Sequence, residues 1–360
     1  MDECYSVSHW HPIGRNRIRC LESEHSRLVC QQSGLVAYKL KTETMTEDDC
    51  PLVTVIIPTY YRNGSLEDAV QSAKNQTYEP IEIIVVDDSG TNHAESTVAP
   101  LGVTYVAHAE NRGGNPARTT GCEHANGQYV QFLDDDDELL ETKIERQVDV
   151  FEMTDGVGVV YCGIEYENRG AVVPVSDGQG AMTVLPDPDC RGDVLHDALR
   201  FGLNPCQTGT MLIDADVLAT LLPLTARDAA DDIGLKIRLA ERTQFEFVDE
   251  ALFQKGEAAD HRAASPAFAD ELERIITDDH AALYADAPRE VYREAMCEMY
   301  TLRGYFHLER EYWSIIAIHS FFSAIRYTDG PLVIDIGRAV ASLFGRPGIA
   351  IAVMVEKQLR

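Results

Sequence analysis

Two short runs of β-branched apolar residues constrain the fold of this chain more than any other feature. They are LVTVIIP at 52–58 and IEIIVVDD at 81–88. Between them, SLEDAVQSAKNQ at 65–76 places apolar residues at helical spacing after Ser65, a residue type that caps helix N-termini. Continuous apolar strands are typical of a parallel sheet covered on both faces. The pattern therefore predicts a strand, a helix and a second strand in an α/β core.

The alternation of strand and helix continues after the second strand. It comprises strands at 103–106 and 128–133 and helices over about 115–126 and 138–153. Strands that alternate with helices over short links indicate a doubly wound α/β domain with a mainly parallel sheet. After Gly156 the sequence changes to hairpin-like segments, which predict added antiparallel strands.

The second half of the chain divides into sheet-like and helical parts. Its predicted elements are strands at 157–167, within 204–213 and at 245–253, a helix at 232–242, and amphipathic helices from about 267 to 311. We therefore expect an N-terminal extension at 1–50, an α/β domain at 51–260 and a helical region at 261–360.

The composition excludes some classes of function. The 360 residues carry a net charge of −28, and only seven of the 31 basic residues are lysines. So acidic a protein is unsuited to nucleic acid, and this surface is typical of proteins that stay soluble in a halophilic cytoplasm. The nine cysteines show no CxxC spacing, and no signal peptide or run of about 18 apolar residues is present. These features predict a reduced, cytoplasmic chain.

Residues 1–44 differ from the middle of the chain because they are nearly neutral. The cysteines and histidines between Cys4 and Cys50 are of types that ligate zinc, but their spacing matches no compact zinc module. We expect ordinary cysteines in an appended or unstructured segment, with translation beginning at Met45.

Three of the predicted strands end in short segments that carry polar side chains. They are Pro58, Thr59 and Tyr60 after the first strand, Asp87 and Asp88 after the second, and Asp134 to Asp137 after the fourth. In an open α/β sheet the ligand crevice lies at the carboxyl ends of the strands. We therefore expect these side chains to face one crevice.

The four consecutive aspartates repel one another unless a cation relieves the repulsion. Asp134 and Asp136 occupy alternating positions, and their hard carboxylate oxygens suit Mg²⁺ or Mn²⁺. The alternative is a solvated acidic turn, which a chain this acidic also permits.

Four blocks, in order between 52 and about 255, resemble those of family 2 glycosyltransferases. They read VTVIIPTYYR, IEIIVVDDSG, ENRGGNPARTTGCEHANGQYVQFLDDDDEL and RDAADDIGLKIRLA. The resemblance implies the GT-A fold, a Rossmann-like mixed sheet flanked by helices that binds a nucleotide-sugar. Together with the acidic composition, these blocks resemble haloarchaeal enzymes that glycosylate surface glycoproteins. The absence of a QxxRW-type segment favours transfer of a single sugar.

The resemblance also assigns roles to individual residues. The UDP-sugar donor would contact Pro58, Thr59, Tyr60, Asp87, Asp88, Arg118 and Asp134. A divalent cation, Mn²⁺ or Mg²⁺, would be held by Asp136 and Asp134, with support from Asp137 and with His261 nearby. The catalytic base would be one of the pair Asp231 and Asp232, with Asp232 favoured.

Three positions depart from the family pattern. Tyr61 replaces a common Asn, Thr119 and Thr120 replace the Asn that usually follows the Arg, and Asp231 replaces Glu. The last departure leaves open which carboxylate is the base. Either aspartate also fits as the N-cap or a first-turn acid of the helix at 232–242.

We expect an inverting enzyme that moves one sugar from a UDP-sugar to a glycan. The expected acceptor is an oligosaccharide linked to dolichyl or polyprenyl phosphate, at the cytoplasmic face of the membrane, in N-glycan assembly for surface-layer proteins. The alternatives are a dolichyl-phosphate sugar synthase and a non-catalytic nucleotide-sugar-binding protein. The apolar, net cationic tail at 312–360 is either a peripheral membrane contact or a helical subdomain that packs on the core or a second copy.

Overall fold

The first half of the chain forms the parallel part of a nine-stranded sheet. The computed structural model describes residues 50–166, 182–227, 229–256, 265–328 and 332–359. The first elements are β1 (Val53–Thr59), α1 (Asn63–Lys74), β2 (Ile81–Asp87), α2 (Glu95–Val98), a 3₁₀ turn (Ala99–Leu101), β3 (Thr104–Ala107), α3 (Gly114–His124) and β4 (Tyr129–Phe132). The strand order is β3-β2-β1-β4, with parallel pairing throughout.

The second half adds strands that make the sheet mixed. Its elements are β5 (Glu138–Leu139), α4 (Lys143–Met153), β6 (Val157–Tyr166), β7 (Met182–Val184), α5 (Leu195–Leu199), β8 (Leu212–Asp214), α6 (Ala215–Ala219), α7 (Asp231–Ala240) and β9 (Gln244–Lys255). The order continues β4-β8-β6-β9-β5, and β7 pairs with β6. Strand β8 is antiparallel to β4 and β6, and β9 is parallel to β6.

The central strands are buried because apolar side chains project from both of their faces. Alternate residues of β1 enter different clusters: Val55 packs with Leu66 of α1 on one side, and Ile56 packs with Ala117 of α3 on the other. Full burial of such a side chain contributes roughly 1.5–3 kcal/mol. The two-sided burial fixes the register of β1, and with it the position of Thr59 at the strand end.

Three predicted features differ from the structure. Helix α1 begins at Asn63, and Ser65 is not its N-cap: its hydroxyl donates to the carbonyl of Arg62 instead. The helix predicted from 138 begins at Lys143, because Glu138 and Leu139 pair with β9. The strand predicted within 204–213 is confined to Leu212–Asp214, the segment that pairs with β4.

Helices follow the sheet. They are α8 (Pro266–Arg274), a π-helical turn (Ile275–Asp279), α9 (Ala281–Asp286), α10 (Arg289–Arg310), α11 (Ile315–Ala324), α12 (Leu332–Ser342) and α13 (Gly345–Leu359). Apolar residues from α8 to the middle of α10 join the cluster that contains Ile56. The end of α10 and the last three helices form a smaller cluster around Phe321. Of the helices in the described ranges, none has the length and apolar character needed to span a bilayer.

Candidate active site

The register between β1 and β4 brings Thr59 to the aspartate run. Ile56 lies opposite Phe132 in the parallel pair, so the residues three positions further on, Thr59 and Asp135, also lie side by side. The Thr59 hydroxyl donates a 2.7 Å hydrogen bond to Oδ2 of Asp135. Asp135 is the member of the run for which the sequence offers no role. It ties the ends of the two strands together.

Asp135 is buried together with the hydroxyl that holds it. Burial raises the pKa of its carboxyl group to about 6, against the hydrogen bond from Thr59 and the charge of Arg62, which favour ionisation. Arg62 Nη1 lies 3.3 Å from Oδ1 of Asp135. The ends of β1 and β4 are therefore joined by the Asp135 carboxyl group, and its ionisation depends on Thr59 and Arg62.

Three cationic side chains neutralise the other aspartates of the run. Their closest contacts are Arg118 Nη2 to Asp134 Oδ1 at 2.6 Å, Arg62 Nη1 to Asp136 Oδ2 at 2.6 Å, and Lys255 Nζ to Asp137 Oδ2 at 2.6 Å. Burial opposes the charge of Arg118, but Asp134 and Asp231 hold its pKa above its ordinary value. The cations come from three segments that are distant in sequence, so the fold itself supplies the counter-charges.

The end of β9 packs directly against the aspartate run. Besides the contact of Lys255, the backbone N–H of Gly256 donates a 3.0 Å hydrogen bond to Oδ1 of Asp137. A Cβ atom at Gly256 would lie 1.7 Å from the carbonyl oxygen of Asp136. Only glycine permits this approach. Lys255 and Gly256, at the end of β9 and just after it, thus close one side of the site.

The aspartate run fits a divalent cation. Asp134, Asp136 and Asp137 can each offer one carboxylate oxygen, and these oxygens lie within 4.8 Å of one another. Hard oxygen ligands at this spacing suit Mg²⁺ or Mn²⁺. Arg62 and Lys255 contact the same carboxylates, so a bound cation would share a place that positive charge already occupies.

A cavity of about 610 Å³ opens between the end of β1 and the start of α3. We call it the tyrosine cavity; its lining includes Pro58, Thr59, Tyr60, Tyr61, Arg62, Asp88, Arg118 and Asp134 to Asp136. Tyr60 and Tyr61 are 50% and 46% exposed, and their rings meet edge to face at 4.8 Å. Two half-exposed aromatic rings above a charged floor suit a flat, polar ligand such as a nucleoside.

Tyr61 has a left-handed backbone, with φ of 57°. Asn adopts this conformation more readily than a bulky residue does, so the Asn of the family pattern suits this position and Tyr61 is strained in it. The Tyr61 hydroxyl donates to the carbonyl of Ser89 at 3.1 Å, and its ring lies 4.7 Å from that of His93. These contacts hold the strained residue against the loop after β2.

The paired aspartates at the end of β2 face different surroundings. Asp87 points into its own loop, where it accepts hydrogen bonds from the N–H groups of Ser89 and Ala94 and from the hydroxyl of Tyr105. Burial opposes its ionisation, but these hydrogen bonds hold its pKa below its ordinary value. Asp87 does not line the tyrosine cavity, whereas its neighbour Asp88 does.

Asp88 organises the loop that leads into α3. Its carboxylate accepts hydrogen bonds from the N–H groups of Arg112 and Gly113, at 2.9 and 2.7 Å, and lies 2.6 Å from Nδ1 of His108. Gly113 has a φ of 97°, which favours glycine at this turn. His108 Nε2 also lies 2.9 Å from the hydroxyl of Thr120. Asp88 thereby fixes the wall that carries Arg118.

A second cavity, of about 460 Å³, lies between α7 and the C-terminal helices. We call it the helix cavity; its lining includes Arg118, Asp134, Asp137, Phe201, Asn204, Gln207, Asp231, Asp232, Lys236, Lys255, Phe268, Glu298 and Leu302. Arg118 and Asp134 line both cavities. The two spaces therefore meet at one ion pair beside the aspartate run.

Helix α7 carries Asp231 and Asp232 in its first turn. Neither is the N-cap, because that position is Ala230, with a left-handed φ of 56°. Asp231 Oδ2 lies 3.6 Å from Nη1 of Arg118, and Asp232 Oδ2 lies 3.6 Å from Nζ of Lys236. Of the two positions that the sequence permits, the N-cap is wrong and the first turn agrees with the structure.

Backbone strain concentrates at the two cavities. Four non-glycine residues of the described ranges have a positive φ, and three of them, Tyr61, Phe201 and Ala230, line one cavity or the other. Such conformations cost roughly 1–3 kcal/mol each and persist where the surrounding structure holds them. Their position marks both cavities as functional candidates.

Sequence reasoning missed the residues that balance the aspartates. Arg62, Lys236 and Lys255 were not predicted as site residues, although lysine is scarce in the chain. Both lysines are largely buried against carboxylates. His261, predicted near the cation, lies outside the described residues.

Comparisons with known proteins agree with this geometry. Residues 54–178 match the sequence model described as Glycosyl transferase family 2. An uncharacterized glycosyltransferase of Rickettsia prowazekii is 37% identical over 32% of this chain and 37% of its own length. The GalNAc(5)-diNAcBac-PP-undecaprenol beta-1,3-glucosyltransferase of Campylobacter jejuni is 32% identical over 36% of this chain and 43% of its own length. The chain spans about two fifths of the length of these curated relatives.

Solved structures share the fold at low sequence identity. TarS 1-349 of S. aureus, in complex with UDP-GlcNAc, has a TM-score of 0.55 and 14% identity over 83% of this chain and 88% of that one. The mannosyltransferase PcManGT of Pyrobaculum calidifontis, in complex with GDP-Man and Mn²⁺, has a TM-score of 0.52 and 18% identity over 85% and 84%. The fold is that of the GT-A glycosyltransferases. Within it, residues 54–178 are similar to glycosyl transferase family 2.

Proposed function

We propose that this chain is an inverting, cation-dependent glycosyltransferase that moves one sugar from a UDP-sugar to a lipid-linked glycan. One observation carries the proposal: Arg118 and Asp134 form a wall common to the tyrosine cavity and the helix cavity. A donor bound in the first cavity would present its sugar at that wall. The acceptor would meet it from the second, where Asp232 lies.

The tyrosine cavity suits the nucleotide. Tyr60 offers an exposed ring for the base, and Asp88 offers a carboxylate at the cavity wall. Arg62 and Arg118 lie beside the aspartate run, where guanidinium groups can hold diphosphate oxygens. The proposal is supported by fold relatives whose structures contain UDP-GlcNAc or GDP-Man.

The aspartate run would hold the cation through Asp136 and Asp134, with Asp137 as support. A bound Mg²⁺ or Mn²⁺ would supply Lewis-acid stabilisation of the departing diphosphate. Arg118 also stabilises that charge, because it is fixed by Asp134 and has little freedom to reorient.

Asp232 is the proposed base. Its carboxylate lines the helix cavity and is 30% exposed, so an acceptor hydroxyl can reach it. Asp231 faces Arg118 instead, and that guanidinium engages its carboxylate. An inverting displacement needs the base on the face opposite the leaving group. The helix cavity shares only Arg118 and Asp134 with the tyrosine cavity, so a base at Asp232 would approach the sugar from outside the nucleotide site.

The acceptor proposal rests on the lining of the helix cavity and on one relative. Phe201 and Phe268 offer apolar faces for sugar rings, and Asn204 and Gln207 offer amide groups for hydroxyls. The Campylobacter relative is named for an undecaprenol-linked acceptor. A dolichyl- or polyprenyl-linked acceptor would place this chain at the cytoplasmic face of the membrane, and its acidic composition fits N-glycan assembly for a halophile's surface layer.

The test separates binding from turnover. We expect Asp232→Asn to retain UDP-sugar affinity by calorimetry while the rate of UDP release falls at least about 100-fold, in the range typical of losing a general base. Asp216→Asn, an exposed first-turn aspartate of α6, is the matched control and should leave both unchanged. Full turnover in Asp232→Asn would remove Asp232 as the base.

Product analysis separates the alternatives. NMR of the product should show the anomeric configuration opposite to that of the donor. Mass spectrometry of lipid-linked glycans from a deletion strain should show a glycan shortened by one sugar. A missing dolichyl-phosphate monosaccharide would instead indicate a sugar-phosphate synthase. Donor binding without turnover in the unmodified chain would indicate a binding protein.

A further inference from the structure

The last three helices expose an apolar surface that nothing in the described structure covers. Thirteen of the 17 exposed large apolar residues in the described ranges lie between Tyr312 and Val355. They are Tyr312, Trp313, Ile315, Ile316, Phe322, Val333, Ile336, Val340, Leu343, Phe344, Ile351, Met354 and Val355. Apolar residues scattered singly need no explanation, but this concentration marks an interaction surface.

Each helix places these residues at helical spacing, opposite its buried face. In α12, Val333, Ile336 and Val340 are exposed, while Asp335 and Arg338 lie inward and pair at 3.5 Å. This is the reverse of a helix adapted to water, which buries its apolar stripe and exposes its charges. Helices α11 and α13 also expose apolar residues, including Ile315 and Ile351, although Phe321 and Ile349 are buried on their inner faces.

The turns between the helices join these stripes through aromatic residues. Trp313 Nε1 donates a 3.2 Å hydrogen bond to the carbonyl of Leu343, so the exposed rings of Tyr312, Trp313 and Phe344 lie near one another. Trp and Tyr rings, which are apolar with a polar tip, are enriched where protein meets the headgroup region of a bilayer.

Charge identifies the occupant of this surface. Residues 312–360 carry five basic and three acidic residues, in a chain of net charge −28. An anionic bilayer repels the acidic body of the protein and attracts this segment, so the charge asymmetry orients the chain. A symmetric dimer would instead bring the same cationic segment against itself.

We propose that α11 to α13 dock on an anionic lipid bilayer through this surface, with Trp313 and Phe344 at the headgroup level. The inference deepens the membrane location that the proposed function implies, because it names the surface that binds the bilayer. Docking would hold the helix cavity beside acceptors that diffuse in the membrane.

The test uses the full chain with Trp10→Phe, which leaves Trp313 as its single tryptophan. On vesicles containing phosphatidylglycerol we expect co-flotation and a shift of Trp313 emission to shorter wavelength, with much weaker binding to phosphatidylcholine alone. Phe344→Ser with Ile351→Ser should lower the vesicle partition coefficient about tenfold or more. Arg326→Gln should lower it about fivefold on anionic vesicles only.

Matched controls keep this result separate from folding and from turnover. Met153→Ser with Leu185→Ser removes two exposed apolar residues outside the surface and should bind vesicles normally. The Phe344→Ser/Ile351→Ser variant should keep its melting temperature and its turnover on a water-soluble acceptor. Absence of vesicle binding in the parent chain, or equal binding by both double variants, would overturn the proposal. So would a dimer that Phe344→Ser/Ile351→Ser abolishes without any lipid binding.

Discussion

Lys255 Nζ lies 2.6 Å from Oδ2 of Asp137, whose side chain is only 1% exposed. Burial raises the pKa of Asp137 above its ordinary value, and the ammonium group opposes that shift. Removing one partner of a buried ion pair leaves an uncompensated charge. We expect Lys255→Met to lower the free energy of unfolding by roughly 3 kcal/mol at pH 8, measured by urea denaturation.

A second substitution separates charge from packing in this pair. Lys255→Met with Asp137→Asn removes both charges, so it should recover a large part of the stability lost in Lys255→Met alone. Lys74→Met, at an exposed lysine of α1, should change stability by less than about 0.5 kcal/mol. Equal losses in the single and double variants would mean that the pair acts through its shape alone.

Arg118 should be sensitive even to a conservative change. It donates to Asp134 and faces Asp231 with separate nitrogens of one planar group, and lysine cannot reproduce that fork. We expect Arg118→Lys to weaken UDP-sugar binding about tenfold, or about 1.4 kcal/mol, in calorimetric titration. Arg112→Lys, an exposed position in the preceding loop, serves as the control. Unchanged donor affinity in Arg118→Lys would separate Arg118 from the donor.

The sequence predicts the parts of the site that follow from local pattern. Apolar runs ending in Thr59, Asp88 or Asp134 predict strand ends at one crevice, because parallel strands share a direction. The structure brings Thr59 and the aspartate run together at this edge. Their roles in donor and cation binding stay predictions, as does the division of the chain at 260 and 261.

The missed features depend on contacts between distant segments. Lys255 reaches Asp137 because β9 pairs with β5 and lies parallel to β6, and no local pattern encodes that order. The position of Arg62 likewise depends on the turn that leads into α1, where it is the N-cap residue. The composition contained one signal for the missed lysines. In a chain with so few lysines, those buried against carboxylates or amides, such as Lys143 and Lys236, mark places where a buried ammonium group is needed.

The aspartate run should bind Mn²⁺ without any substrate. A cation that binds only the folded state raises its stability, by about 2.7 kcal/mol at a concentration 100 times the dissociation constant. We expect Mn²⁺ to raise the melting temperature of the parent chain by a few degrees in calorimetry. Asp136→Asn should abolish that increase, whereas Asp155→Asn, at an exposed position, should preserve it. An equal increase in both variants would place the cation elsewhere.

Lys143 should make the stability of the folded chain depend on pH, and the sign of this dependence can be worked out. It is fully buried, and its ammonium group donates hydrogen bonds to the amide oxygens of Gln131 and Gln147. Burial lowers its pKa from 10.5 to about 8. Between these values the unfolded chain binds a proton that the folded chain releases, so a rise in pH favours the folded state. Below pH 8 both states are protonated and this contribution is constant.

The measurement compares the parent chain with Lys143→Met, which cannot titrate at this position. Between pH 8 and 10.5 the stability of the parent relative to the variant should rise by up to about 3 kcal/mol, followed by urea denaturation at half-unit steps. Lys74→Met, which removes an exposed lysine, controls for the loss of one surface charge. A stability difference that stays constant across this range would mean that Lys143 remains protonated in the folded core.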